Sequence, residues 1–307
     1  MSIIKIESLK KIYNCGTIAL NTISMNIEEG DFFALLGKNG AGKSTTIGIL
    51  ISLIKKTSGK VYIHGYDLDI DYLNIKALIG FVPQEYNFNQ FEKVIDIIVN
   101  QAGYYGINRT LALNRAEYFL KLFGLWEKKD SVSIKLSGGM KRRLMIIRAL
   151  IHKPKILILD EPTAGVDIIS RRLIWNFLKE INKVQNTTII LTTHYLEEVE
   201  LLCNNVSIID SGKILVNTRV KDLLFNLGER TFILKVDSNH INYINDIIAK
   251  KTKYKFVILD NNLLEVVIPE NKNLNDLFSF FISSKITVYD IKSKYNKLEE
   301  LFIDLIS

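Results

Sequence analysis

The 307-residue sequence predicts an α/β fold, with a parallel-sheet core and a helical subdomain, followed by a small α+β domain. Three observations predict it. The apolar stretch FFALLG (32–37) runs into the glycine-rich loop GKNGAGKST and then a helix-patterned segment with Ile47, Leu50, Ile51 and Ile54 apolar. Strand, glycine loop and helix in that order open a parallel sheet, whose strands are covered on both faces and read as unbroken apolar runs. Two more such runs, KILILD (155–160) and TTIILTTH (187–194), each lead toward a helix. Beyond about residue 225 the texture changes to strand, helix, strand, strand, helix, strand, helix.

Taken from the N-terminus, residues 3–9 and 23–28 alternate apolar and polar, the period of strands in a half-exposed sheet, and Gly30 and Asp31 make a turn before FFALLG. From about 90 to 150 the spacing becomes helical, in FEKVIDIIVNQAGYY and RAEYFLKLFGLW. This is an insertion between the glycine-rich loop and the later strands, a helical subdomain over about 88–150 of a first domain spanning 1–225. In 226–307, TFILKVD, a helix over INYINDIIAK, YKFVILD, LLEVVIP, a helix over NLNDLFSFFI, ITVYDIK and a last helix over NKLEELFIDLI resemble a split βαβ, ferredoxin-like unit with a terminal helix. No polar constellation there could carry chemistry, which points to a regulatory or adhesive role.

Composition narrows the class. With 48% hydrophobic and 24% charged residues the chain is an ordinary globular one. No apolar run approaches the ~18 residues of a spanning helix. The start MSIIKIESLK lacks the regions of a signal peptide, so a cytosolic location is expected. Cys15 and Cys203, far apart and outside any CxxC, suit a reducing compartment and neither a disulfide framework nor a zinc site. The net charge of +7 is smeared along a chain rich in Lys, Asn and Ile. Such an excess reads as solvated background in preference to a nucleic-acid footprint, with weak attraction to a membrane surface as the runner-up.

The chemistry lies in five places. Gly37, Lys38, Asn39, Gly40, Ala41, Gly42, Lys43 and Ser44 match G-x-x-x-x-G-K-[ST] between a buried strand and a helix, the context a phosphate-binding P-loop requires. Glycines let successive N–H groups turn onto a phosphate, and the helix N-terminus adds a favourable field. Lys43 reaches for the β and γ phosphates and the Ser44 hydroxyl for Mg²⁺. Asp160 ends the strand KILILD, at the sheet edge where α/β ligands bind, and can hold Mg²⁺ through water. Glu161, one residue on, can orient an attacking water, and His194, closing TTIILTTH in the same relation to the sheet, can sense the γ phosphate. Gln84, in GFVPQEY, ends another short apolar strand, where its amide could meet Mg²⁺ or the attacking water. In LSGGM (136–140) the Ser137 hydroxyl caps the helix that follows, the geometry that also receives a phosphate. Lys141, Arg142 and Arg143 read equally as a solvated face or as phosphate contacts.

Together these motifs resemble ABC-type ATPases. Walker A at 37–45, including Thr45, Gln84 as the Q-loop, LSGGM as the signature, ILILDE as Walker B, AGVD (164–167) as the D-loop and His194 as the H-loop follow that family's order over roughly residues 1–225. LSGGMKRRLMIIRAL, EPTAGVD and LEELFIDL are most similar to ATPase subunits of ABC-2 type exporters, closest to the YadG type. The resemblance implies the P-loop ABC-ATPase fold and a head-to-tail homodimer. In it, ATP with Mg²⁺ is sandwiched between Lys43 of one subunit and Ser137, Gly138 and Gly139 of the other.

It further implies that Tyr13, in KKIYNCG, stacks on adenine and that Asp167 links the two sites across the dimer. The partner it implies is a separate ABC-2 type permease, two copies or equivalent, which would hold the protein at the inner face of the cell membrane. Tyr86, Phe88 and Phe91 are candidates to receive a short permease helix. Met140 stands where the family's commonest signature has Gln. Ser137 and the backbone donors remain, so hydrolysis is expected to persist. A cytosolic ATPase acting on ribosomes or nucleic acid is the competing reading, but one cassette without sustained heptads argues against it, and no nucleic-acid partner is expected.

Overall fold

The computed structural model describes residues 2–225, 230–237, 254–260, 262–269, 273–284 and 286–293. The chain divides into two compact units, Met1–Val220 and Lys221–Ser307.

In the first unit, β1 (Ser2–Ile12) pairs antiparallel with β2 (Ile18–Glu28) and with β4 (Ser58–Ile63), which carries the two-residue β5 (Tyr66–Asp67) at its edge. Period-two alternation buries Ile4 and Ile6 of β1 and Ile23, Met25 and Ile27 of β2. Both strands run further than their alternation because register shifts are absorbed at Ser8 and Thr22, whose φ angles are 49° and 60°.

The second sheet carries the site. Its order is β10–β9–β3–β8–β7–β6, from β3 (Phe32–Leu36), β6 (Ile79–Val82), β7 (Ile156–Asp160), β8 (Thr188–Thr193), β9 (Asn205–Asp210) and β10 (Lys213–Arg219). All pairs are parallel except the β9–β10 hairpin. Every residue of β3, β7 and β8 is buried, which is why they read as continuous apolar runs. Parallel strands share one carboxyl edge, so the loops after β3, β6, β7 and β8 emerge side by side there.

Helix α1 (Lys43–Leu50) follows the loop after β3. It stops a turn short of the apolar pattern: Ile51 is its C-cap, and the Leu53 and Ile54 N–H groups both bond the Gly48 carbonyl at 2.8 and 2.9 Å. The wrapped turn still packs Ile51 and Ile54 against the core joining the two sheets, which includes Ile6, Ile47, Leu50 and Ile158. Helix α2 (Tyr72–Leu78) precedes β6, and the helical insertion comprises α3 (Val94–Tyr104), α4 (Arg109–Leu122) and α5 (Gly138–Leu150). Then α6 (Ile168–Gln185) links β7 to β8, α7 (Leu196–Leu202) follows β8, and α8 (Val220–Phe225) follows β10.

In the second unit β11 (Arg230–Val236), β12 (Lys255–Asp260), β13 (Leu263–Ile268) and β14 (Val288–Ser293) form an antiparallel sheet of order β12–β13–β11–β14. The first and third strands sit centrally, the split arrangement anticipated from the element order. Helix α9 (Leu274–Ser283) begins with a capping box of Asn273 and Asp276 and buries Leu277 and Phe281 against Leu234, Leu264 and Val266. The helices anticipated over INYINDIIAK and NKLEELFIDLI lie outside the described residues. Among the described residues no helix is long and apolar enough to cross a membrane.

Candidate functional site

The loop after β3 is shaped by close approach. A Cβ at Gly37 would stand 2.3 Å from the Ile209 carbonyl oxygen, and Gly42, the N-cap of α1, holds φ at 114° with the Ala19 carbonyl oxygen 2.8 Å from where its Cβ would be. Lys38, Asn39 and Gly40 are exposed, whereas Ala41 is buried. The Lys43 side chain is 5% exposed and turns back on the loop, donating to the carbonyls of Gly37 at 2.8 Å and Lys38 at 3.1 Å. Burial holds its ammonium below the usual range, opposed by the charges of Glu161 and Asp160. Ser44 is exposed at the helix start, and Thr45 lies 3.3 Å from the Tyr13 hydroxyl, so β1 delivers an aromatic ring to the loop's flank.

Glu161 is the hub of the carboxyl edge. Its φ of 45° is left-handed, a sparsely populated state for a side chain of this size, and its N–H is anchored on the Thr192 carbonyl at 3.1 Å. The Thr192 hydroxyl also donates to Asp160. So held, the Glu161 carboxylate faces Lys43 Nζ at 3.7 Å, His194 Nδ1 at 3.3 Å and Gln84 Nε2 at 3.4 Å. Four residues widely separated in the chain, ending or following β3, β6, β7 and β8, thus meet at one point.

Ser137, Gly138 and Gly139 take their contacts from another neighbourhood. Ser137 caps α5, its hydroxyl accepting from the Met140 N–H at 3.3 Å, and the Gly138 carbonyl accepts from the Tyr86 hydroxyl at 3.0 Å. A Cβ at Gly139 would stand 2.5 Å from the Ser170 hydroxyl oxygen and 3.6 Å from an Asp167 carboxylate oxygen. Asp167 caps α6 by accepting from the Ser170 N–H at 2.9 Å.

Arg142 and Arg143 of α5 correct one half of the sequence reading: neither belongs to a solvated face. Arg142 donates to the carbonyls of Pro83 at 2.8 Å and Gln84 at 2.6 Å, and Arg143 to that of Phe123 at 2.7 Å, both side chains being buried. Glu198 was invisible in the sequence. It is 1% exposed and accepts from the hydroxyls of Thr163 and Thr193 and, at 3.2 Å, from the Trp175 indole, joining the loop after Glu161, α6 and the strand end before His194. Its neighbour Glu197 is exposed, so the pair looks like a helix surface.

The donors suit a hard cation in part. Ser44 and Asp160 offer oxygens, but among the described residues no three His, Cys, Asp or Glu side chains group to hold a metal. The two oxygen donors themselves suit Mg²⁺, which takes one or two protein ligands and completes its shell with phosphates and water.

A glycine loop on a helix N-terminus, with a carboxylate, an amide and an imidazole converging beside it, defines a P-loop ATPase. The family described as ABC transporter matches residues 20–164. The linearmycin resistance ATP-binding protein LnrL of Bacillus subtilis is 34% identical over 97% of this chain and 96% of its own length. The Nod factor export ATP-binding protein I of Cupriavidus metallidurans is 34% identical over 73% of each. Several longer curated relatives are matched over only 12 to 19% of their length. Among solved structures, a dimeric post-hydrolysis ATP-binding cassette bound to ADP and Pi superimposes with a TM-score of 0.65 at 27% identity, over 71% of this chain and 98% of that one. The chain belongs to the ABC transporter family, as an ATP-binding, ATP-hydrolysing subunit of a transporter.

Proposed function

We propose that the chain powers an ABC-2 type exporter as an ATP-sandwiched homodimer, held at the inner face of the cell membrane by a separate permease. The observation that carries the reading is the convergence of Lys43, Gln84 and His194 on Glu161. ATP entering the loop after β3 draws Lys43 Nζ off the Gly37 and Lys38 carbonyls onto the β and γ phosphates. Tyr13 stacks on the base. Glu161 is thereby released to accept a proton from a water in line with the γ phosphate, with Gln84 orienting that water and His194 holding a γ-phosphate oxygen. Ser44, Asp160 and Gln84 would hold Mg²⁺, which would supply neutralisation of phosphate charge when bound.

Ser137, Gly138 and Gly139 point α5's N-terminus at the partner's γ phosphate, and Asp167, beside Gly139, connects the two sites. Two composite sites make the dimer an ATP-dependent clamp, which opens when the γ phosphate leaves. The exporter assignment draws support from the relative named for Nod factor export and the one named for linearmycin resistance. A cavity of about 260 Å³, lined by Leu53, Lys76, Phe81, Gln101, Tyr105 and Arg148, suits a short permease helix. Tyr86 and Phe91, exposed beside Gln84, are the alternative seat.

The test is co-purification from detergent-solubilised membranes with Glu161→Gln, which holds the ATP-bound dimer closed. A stoichiometric membrane subunit is the expected result. Recovery only with ribosomes or nucleic acid would overturn the exporter reading.

A further inference from the structure

We propose that Arg142 is a positioning residue for hydrolysis: it fastens the Gln84 backbone to the helix that begins with Ser137–Gly139, so that nucleotide at one site sets the loop serving the other. The inference rests on the dimer reading above and deepens it.

The segment from Pro83 to Asn87 leaves β6 as an irregular, largely exposed loop, the kind of chain that ordinarily moves on its own. Here α5 grips it throughout. Arg142 donates to the carbonyls of both Pro83 and Gln84. One turn earlier in α5, the Gly138 carbonyl accepts from Tyr86, whose ring lies 5.3 Å from the Arg142 guanidinium. Further along, Arg148 donates to the Asn87 carbonyl at 3.0 Å and to its side-chain oxygen. Loop and helix are joined at four of the five residues from Pro83 to Asn87, which ties their movements together.

The chemistry of the fastening is informative. Arg142 is 3% exposed, its charge met by carbonyl dipoles, with no ion pair formed among the described residues. Its Nε is buried with no hydrogen-bond partner there, and burial pulls its pKa down. An apolar side chain of similar volume would fill this position at lower desolvation cost. What it would lack is the planar fork, whose two directed bonds fix the orientation of the 83–84 backbone as a contact without direction does not.

The amide of Gln84 reaches Glu161 at 3.4 Å on its own site, while the far end of the same rigid unit presents Gly138 and Gly139. Any displacement of Gln84 as nucleotide enters is therefore delivered to the signature loop without slack. This makes the two sites cooperative through a contact made inside each chain.

The test uses the full chain with two variants, Arg142→Met, which fills the space without the fork, and Tyr86→Phe, which removes one hydroxyl at the surface, and with Arg142→Lys as a rescue control. Steady-state ATP hydrolysis, ATP affinity by equilibrium titration and Tm are measured for each. The expected result for Arg142→Met is a kcat lowered roughly tenfold or more with ATP affinity kept within about twofold, and a Hill coefficient falling from about two, the number of sites, toward one. Tyr86→Phe moves the Hill coefficient the same way with Tm unchanged, and Arg142→Lys, a cation without the fork, does not rescue.

Wild-type kcat and cooperativity in both variants, or a loss in Arg142→Met that follows Tm and affinity together, would overturn the assignment. A wild-type Hill coefficient near one, with Glu161→Gln remaining monomeric in ATP, would instead bring down the dimer reading and the inference with it.

Discussion

The Nδ1 atom of His194 stands 3.3 Å from the Oε1 atom of Glu161, the same oxygen that faces the Lys43 ammonium at 3.7 Å. The imidazole projects from the end of β8 and the carboxylate from a left-handed residue just beyond β7, so their spacing is set by the pairing of two buried strands. A carboxylate with a cation on one side and an imidazole on the other has little rotational freedom, which suits a group that must aim a water.

His194→Ala removes one of the three groups that orient Glu161 and the proposed γ-phosphate contact. The expected outcome is a kcat lower by roughly 10²-fold with ATP binding retained within a few-fold, read by steady-state kinetics beside an equilibrium titration.

Glu198→Ala strands three buried donors, on Thr163, Trp175 and Thr193. Leaving such groups unpaired costs about 3 kcal/mol or more, expected as a lower urea midpoint at unchanged m-value. Glu198→Gln, which keeps one acceptor oxygen, should fall between this variant and the wild type.

Gly139→Ala places a methyl group 2.5 Å from the Ser170 hydroxyl oxygen and 2.7 Å from its Cβ, so the start of α5 must move away from α6. Hydrolysis is expected to fall about tenfold or more while ATP affinity at residues 37–45 stays near wild type, since that loop is untouched. A parallel loss of affinity would show that the two loops are not separate in function.

His152 supplies a pH dependence. Burial lowers its pKa from 6.5 to about 4, its ring stacked 3.7 Å from that of Tyr105 and bonded at 3.2 Å to the Ile79 carbonyl. The unfolded chain then binds the extra proton between about pH 6.5 and 4, so stability rises with pH across that window and is lost as pH falls through it. The contribution amounts to up to about 3 kcal/mol. Urea melts from pH 4 to 7 on the wild type and on His152→Phe, which keeps a ring against Tyr105, should show the variant with the shallower slope.

The positions of the catalytic candidates were legible in the sequence because each follows a strand whose burial is written as an apolar run. FFALLG, GFVP, KILILD and TTIILTTH announce parallel strands, and parallel strands deliver their loops to one edge. The arginines of α5 were not legible. A basic triplet after a helix cap looks solvated, and the carbonyls that make Arg142 and Arg143 tolerable when buried belong to Pro83, Gln84 and Phe123, far away in sequence. Nor was the antiparallel pairing of β4 and β5: Gly59, with φ at 93°, interrupts the alternation of β4, and Gly65, with φ at 83°, lies in the turn between the two. Glu198 hid for the opposite reason, standing next to an exposed glutamate on a short helix.

Among the described residues, strand β3 pairs with β8 and β9 alone, partners that the chain does not reach until residues 188 to 208. During synthesis the apolar FFALL segment and the glycine loop beside it emerge from the ribosome long before anything can cover them. At ~5–20 residues/s the wait is on the order of ten seconds. The nucleotide pocket is therefore among the last parts of the first unit to form, and a nascent chain stalled before β8 exposes a five-residue apolar strand with both edges open. Ribosome-bound chains of increasing length should gain protease resistance around β3 only once β9 has cleared the exit tunnel.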